Sequence, residues 1–110
     1  MKNIILIGMP GAGKSTVGVL LAKSMGYDFV DADLVIQKQQ GKKLQDIIDE
    51  RGLDGFKLAE EQALLSINDT KAVIATGGSA VFSAAGMEHL KENGICVYLR
   101  VDEQELIRRL

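Results

Sequence analysis

The feature that most constrains this chain is a nine-residue loop at positions 8–16. It reads Gly-Met-Pro-Gly-Ala-Gly-Lys-Ser-Thr and matches G-x-x-x-x-G-K-[ST], a pattern that wraps nucleotide phosphates. Residues 4–7 before it are apolar and mostly β-branched, which predicts a fully buried strand. After it, apolar residues recur at helical spacing through residue 25. The sequence therefore predicts the strand–loop–helix unit that this motif requires.

The chemistry of the loop follows from its glycines and from the helix expected to begin near Gly13. Glycine permits a positive φ, so successive backbone N–H groups can turn toward one anion, and the helix N-terminus adds positive charge. We expect Lys14 to place its ammonium near the β- and γ-phosphates and the Ser15 hydroxyl to join a Mg²⁺ shell. The alternative is a glycine-rich turn that merely precedes a helix. The predicted nucleotide-binding residues are Gly11, Ala12, Gly13, Lys14, Ser15 and Thr16.

Composition and charge narrow the class of protein. The chain has 110 residues, of which 46% are hydrophobic and 25% charged, as in ordinary globular domains. The net charge of −2 gives no indication of a nucleic-acid or membrane surface, and no apolar run has the length of a membrane span. The single cysteine, Cys96, cannot form an internal disulfide. We expect a cytoplasmic monomer that acts on a small molecule.

Short apolar segments alternate with helical patterns along the rest of the chain. Apolar runs at 27–30, 72–75 and 95–99 predict three further strands. The helices are expected at 34–41, 44–51, 56–67, 84–91 and 102–110. Such alternation predicts an α/β fold in three layers, a P-loop domain over residues 1–110 with four parallel strands and helices on both faces. Because the chain stops inside the last predicted helix, we expect a C-terminal part to be missing.

Two aspartates, Asp31 and Asp33, follow the second predicted strand at the edge where ligands of such folds gather. Asp31 is a candidate to hold Mg²⁺ through water, opposite Ser15. Asp33 is a candidate to accept the proton of a substrate hydroxyl, as a carboxylate does in phosphoryl transfer to an alcohol. In the alternative interpretation the pair caps the helix expected at Leu34, a task that suits Asp33. The predicted catalytic residues are Lys14 and Asp33.

Two weaker signals complete the predicted site. Gly77 and Gly78 follow the third predicted strand and permit either a close approach to a ligand or merely a tight turn. Lys57 is expected near the start of a helix, where a cation opposes the dipole, so an anionic partner is the functional interpretation. The alternative is an exposed lysine without a role. The predicted substrate-binding residues are Asp33, Lys57, Gly77 and Gly78.

With these residues in place, the chain resembles the shikimate kinase family in four blocks that match in order and spacing. The blocks are residues 8–16, Phe-Val-Asp-Ala-Asp at 29–33, Gly-Leu-Asp-Gly-Phe-Lys at 52–57 with Glu60, and Thr-Gly-Gly-Ser at 76–79. The resemblance covers the whole chain but about two thirds of the family's domain. It implies ATP-dependent phosphorylation of shikimate to shikimate 3-phosphate in aromatic amino acid biosynthesis.

The resemblance also implies roles for individual residues. Lys14 and Ser15 would serve ATP and Mg²⁺, with Asp31 on the metal side. Asp33 would bind the ring hydroxyls of shikimate and assist deprotonation, and Gly78 would lie against the substrate or the γ-phosphate.

This sequence departs from the family pattern at three positions. Lys57 stands where the family has an arginine that pairs with the shikimate carboxylate, Leu53 replaces an acidic residue, and Ser79 replaces a third glycine. Lysine offers a point charge in place of a bidentate fork. The family's arginine-bearing lid would lie beyond residue 110, so we expect residues 1–110 alone to bind ATP with negligible turnover.

Three other classes of function stay open at this point. The first is a related kinase that acts on another small hydroxy acid or polyol. The second is a non-catalytic nucleotide-binding module. The third is a GTPase-like switch. Two observations argue against it: the third predicted strand ends in Thr-Gly-Gly where a switch has a metal-binding Asp, and no N-K-x-D signature is present.

Overall fold

A computed structural model of the protein describes residues 2–8 and 14–99, except for the side chains of residues 14, 15 and 99. These residues form four strands and four α-helices, and two of the helices follow each other directly between the second and third strands. The strands are β1 (Asn3–Gly8), β2 (Asp28–Asp31), β3 (Ala72–Ala75) and β4 (Gly94–Leu99). The helices are α1 (Lys14–Met25), α2 (Ala32–Gln40), α3 (Leu44–Ser66) and α4 (Ala84–Lys91), with a 3₁₀ turn at Ala80–Phe82. Residues 9–13 of the loop predicted at 8–16, and the helix predicted at 102–110, lie outside the described residues.

The four strands form one parallel sheet in the order β2-β3-β1-β4. The central strands are short and apolar, and all four residues of β3 are buried. A parallel strand covered on both faces has this composition, which explains why apolar runs predicted it correctly. The predicted α/β fold with a four-stranded parallel sheet is confirmed.

Successive residues of the central strands face opposite layers, and each face has its own apolar core. Ile5 and Ile74 pack with Leu64 of α3 and Leu90 of α4 on one face. Their neighbours Leu6 and Val73 pack with residues of α1 on the other face. This period-two alternation sets the three layers of the fold.

Two helix boundaries differ from the sequence-based expectation. The helix expected at Leu34 begins at Ala32, because the Asp31 side chain caps it from the end of β2. The two helices predicted at 44–51 and 56–67 are joined as α3, with a kink at Gly52, whose φ of 73° is a left-handed conformation. A glycine adopts this conformation without steric cost, so the predicted break at Gly52 is confirmed as a kink.

Asn3 is a buried polar residue that ties the start of β1 to its surroundings. Its side chain is 4% exposed, its Oδ1 accepts from the Ala72 backbone N–H at 2.8 Å, and its Nδ2 donates to the Asp69 carbonyl. Buried polar groups of this kind are stabilising only while both partners are present. Asn3 therefore fixes β1 against β3 at the amino edge of the sheet.

We predict that Asn3→Ala lowers the free energy of unfolding by about 1–3 kcal/mol, because it leaves the buried Ala72 N–H unpaired. Asn68→Ala is the matched control, since Asn68 is exposed and makes one long hydrogen bond of 3.4 Å. The control should change stability by less than about 0.5 kcal/mol. Urea denaturation of both variants measures the difference, and equal stabilities would contradict a structural role for Asn3.

No helix within the described residues is both long enough and apolar enough to cross a membrane.

Candidate functional site

The ends of β1, β2 and β3 lie side by side at the carboxyl edge of the sheet. Leu6 of β1, Ala75 of β3 and Asp31 of β2 lie in register across the sheet. Because β3 separates β2 from β1, the Cα of Asp31 lies about 10 Å from that of Leu6. The backbone of α1 begins at Lys14. The nucleotide-binding residues Gly11, Ala12 and Gly13, and the side chains of Lys14 and Ser15, lie outside the description, so their roles stay predictions.

Asp31 caps helix α2. Its Oδ1 accepts hydrogen bonds from the backbone N–H groups of Asp33, at 2.9 Å, and Leu34, at 3.4 Å. Asp31 thus provides the cap that the alternative interpretation expected of the pair and considered well suited to Asp33, and the functional roles of both aspartates stay predictions. The cap leaves Asp33 in the first turn of α2, where its carboxylate faces the turn after β3.

The Asp31 carboxylate at this edge is an oxygen donor of the kind that Mg²⁺ takes, and Mg²⁺ keeps most of its other positions for phosphate and water. The two candidates are the Asp31 carboxylate and the Ser15 hydroxyl, and the metal role of both stays a prediction. Within residues 2–8 and 14–99, no group of three or more His, Cys, Asp or Glu side chains is placed to hold a metal ion.

Thr76 fixes the turn that follows β3. Its backbone N–H and its Oγ1 both donate to the Leu6 carbonyl, at 3.1 and 2.8 Å, and the residue is 3% exposed. The turn is thereby held against β1, the strand that leads into the phosphate loop. Gly77 consequently has a fixed position at the centre of the edge.

Gly77 lies in close contact with two carboxylates. A Cβ atom at this position would be 2.7 Å from Oδ1 of Asp33 and 3.3 Å from Oε2 of Glu60. A Cβ at the first of these distances would require the Asp33 carboxylate to move, so the glycine lets Asp33 of α2 and Glu60 of α3 approach the same turn. Gly78, the next residue, is exposed.

Glu60 is a buried acid on the inner side of α3. The residue is 2% exposed, and Ser79 Oγ lies 2.9 Å from Oε1 and 3.1 Å from Oε2 of its carboxylate. Burial raises the pKa of Glu60 above 4.5, the hydrogen bond from Ser79 lowers it, the charge of Asp33 raises it and the charge of Lys57 lowers it, with a net rise. A like charge beside a desolvated carboxyl favours the protonated form.

A cavity of about 470 Å³ opens beside this cluster. Lys57, Glu60 and Ser79 line one part of it, and Leu58 and Phe82 supply apolar walls. Lys57 is exposed and lies one turn before Glu60 on α3, so its ammonium supplies positive charge at the cavity. A pocket with mainly apolar walls and a few converging polar groups suits a small molecule that carries an anionic group.

The sequence-predicted substrate residues Asp33, Lys57 and Gly77 therefore lie around one region. Two further residues of this region, Glu60 and Ser79, had no predicted role. Glu60 was noted as part of a motif, and Ser79 as a departure from one. A signal for Glu60 was present, because it interrupts the inward stripe formed by Phe56, Ala63 and Leu64 on α3. An acid on such a stripe needs a polar partner.

The raised pKa of Glu60 predicts a pH dependence of stability. Between pH 4.5 and the raised value, the folded protein holds a proton that the unfolded chain has released, so the unfolding free energy falls as pH rises through this interval. Glu60→Gln should remove this component, and Glu61→Gln, one residue away, should retain it. Urea denaturation across pH 4–8 measures all three proteins; parallel curves for the unsubstituted protein and Glu60→Gln would contradict the prediction.

Comparison with known proteins shows consistent similarities. Residues 10–110 match the family model described as shikimate kinase. Shikimate kinase 2 of Yersinia pseudotuberculosis is 39% identical over 109 residues, which are 99% of this chain and 63% of that protein. The solved structure of shikimate kinase from Acinetobacter baumannii in complex with shikimate has a TM-score of 0.85 at 39% identity, over 99% of this chain and 62% of that one.

The shikimate kinase structure from Aquifex aeolicus has a TM-score of 0.82 at 30% identity, over 96% of this chain and 63% of that one. The chain thus spans a little less than two thirds of the length of these relatives.

Proposed function

Because the chain belongs to the shikimate kinase family, we propose that it is part of an enzyme that transfers the γ-phosphoryl group of ATP to a hydroxyl of shikimate. The observation that carries the proposal is the approach of Asp33 to Gly77 at the carboxyl edge of the sheet, beside a cavity that Lys57 lines. In this proposal, Asp33 of α2 is the base for the hydroxyl and Lys57 of α3 is the cation for the carboxylate of one small acceptor. The name of the Acinetobacter baumannii structure records shikimate as the bound molecule of that relative.

In the proposed mechanism, separate residues bind the phosphates, the metal ion and the acceptor hydroxyl. Mg²⁺–ATP supplies the phosphoryl group and neutralises charge on its phosphates. Lys14 binds the β- and γ-phosphates together with the loop amides, and Ser15 and Asp31 hold the metal side. Asp33 orients the acceptor hydroxyl and takes its proton as the new O–P bond forms, while ADP leaves with the electrons of the broken bond.

Lys57 is proposed to bind the carboxylate of the acceptor. Its ammonium lines the same cavity as the Glu60 and Ser79 side chains, so the anionic group of the acceptor would lie on the α3 side of the site. Lysine binds a carboxylate as a point charge, with less control of orientation than an arginine. Gly77 and Gly78 are proposed to border the ring of the acceptor, where side chains would occupy its space.

ATP and Mg²⁺ as cofactors, a monomeric state and a cytoplasmic location belong to the same proposal. They are supported by the phosphate-loop sequence, the oxygen donors near it and the modest net charge of the chain.

We expect Asp33→Asn to lower kcat by about 10²–10⁴-fold, because the amide cannot accept the hydroxyl proton. The measurement is ADP release coupled to a dehydrogenase assay, with shikimate and a panel of small hydroxy acids, on the protein at its natural length. Asp69→Asn, at the amino edge of the sheet, is the control and should retain activity. GTP binding without acceptor-dependent turnover would contradict the proposal and favour a switch.

We expect Lys57→Ala to raise the KM for shikimate about tenfold or more with a smaller effect on the KM for ATP, because a charge-assisted contact to the acceptor is lost. Lys57→Arg should retain or lower the KM for shikimate, since a guanidinium binds the same carboxylate with two parallel hydrogen bonds. Steady-state kinetics of the three proteins test this. Equal KM values for shikimate in Lys57→Ala and the unsubstituted protein would show that Lys57 does not bind the acceptor.

A further inference from the structure

The backbone at Ser79 has a conformation that any residue can adopt. Its φ of −97° and ψ of −1° lie in the right-handed helical region. The Ser79 hydroxyl, which has one hydrogen to donate, lies within hydrogen-bond distance of both carboxylate oxygens of Glu60. The hydroxyl therefore faces α3, and it fixes the direction of a buried acid.

Glu60 has a second potential partner on its own helix. Lys57 precedes it by three residues, a spacing at which opposite charges on a helix pair. Among the described residues, however, the ion pair joins Lys42 to Glu50, and none within 4 Å joins Lys57 to Glu60. The carboxylate is thus turned toward the loop after β3, although Lys57 acts on it electrostatically.

We propose that Ser79 is a positioning residue for the acceptor, since it holds Glu60 away from Lys57 and so keeps the ammonium available to the acceptor's carboxylate. This inference rests on the proposed function. An acceptor carboxylate and Glu60 compete for the same ammonium, and a buried carboxylate without a hydrogen-bond donor turns toward the nearest cation. Ser79 prevents this competition because its single hydroxyl hydrogen, which lies within reach of either Glu60 oxygen, gives the carboxylate a donor on the side away from Lys57.

The inference predicts a specific kinetic effect. In Ser79→Ala, Glu60 pairs with Lys57, so the KM for shikimate rises about tenfold while kcat and the KM for ATP stay within about twofold. Ser79→Thr keeps the hydroxyl and should retain the original KM. Ser24→Ala, on the helix that covers the other face of the sheet, is the matched control and should change neither constant.

A second substitution separates the proposed competition from simple loss of packing. Adding Glu60→Gln to Ser79→Ala removes the negative charge that would occupy Lys57, so the double variant should have the same KM for shikimate as Glu60→Gln alone. If Ser79 only supports the fold, the double variant should be at least as impaired as Ser79→Ala.

The third measurement needs neither acceptor nor turnover. NMR titration of the Glu60 side-chain carboxyl carbon should show a lower pKa in Ser79→Ala than in the unsubstituted protein, because an ion pair with Lys57 favours the charged form. If Glu60 only loses its donor and keeps its place, its pKa rises instead, since the hydrogen bond from Ser79 lowers it. A rise, or an unchanged KM for shikimate, would overturn the inference.

These measurements distinguish failure of the inference from failure of the proposed function. Absence of shikimate-dependent turnover in the unsubstituted protein contradicts the proposed function. A fall in the Glu60 pKa in Ser79→Ala would still support the control of Glu60 by Ser79 in that case.

Discussion

The close approach of two carboxylates to Gly77 is the constraint on which the site depends. Asp33 comes from α2 and Glu60 from α3, and a single methyl group on Gly77 would lie 2.7 Å from the first of them. Two acids so near one turn repel each other, and the repulsion contributes to the raised pKa of Glu60. The arrangement persists because Ser79 donates to Glu60 and because the surrounding elements are fixed independently.

Those elements are fixed by contacts at the ends of the strands. Thr76 binds the Leu6 carbonyl through both its backbone and its side chain, so the turn after β3 cannot move away from β1. Asp31 caps α2 and thereby sets the direction in which the first turn of that helix presents Asp33. At the other edge Asn3 performs a comparable function for the strand starts. The site is therefore supported by the same hydrogen bonds that align the sheet.

The sequence predicted those parts of the structure that depend on local patterns. Apolar runs located β3 and the other strands, and glycine at position 52 located the break in α3, because both signals act within a few residues. In the alternative interpretation of the aspartate pair the cap suited Asp33, whereas Asp31 is the cap, because neighbouring acids are equally suited and the end of β2 decides between them. The roles of Glu60 and Ser79 depend on a contact between residues 19 apart, and no local pattern reports such a contact.

The central claim is that Asp33 and Lys57 bind opposite ends of one acceptor in the space beside Gly77. A crystal structure of the protein with ADP and shikimate tests it directly. We predict a ring hydroxyl about 2.6–3.2 Å from a carboxylate oxygen of Asp33 and the shikimate carboxylate directed at the Lys57 ammonium. Shikimate bound elsewhere, or bound with its carboxylate turned away from α3, would show that Asp33 and Lys57 do not bind one acceptor.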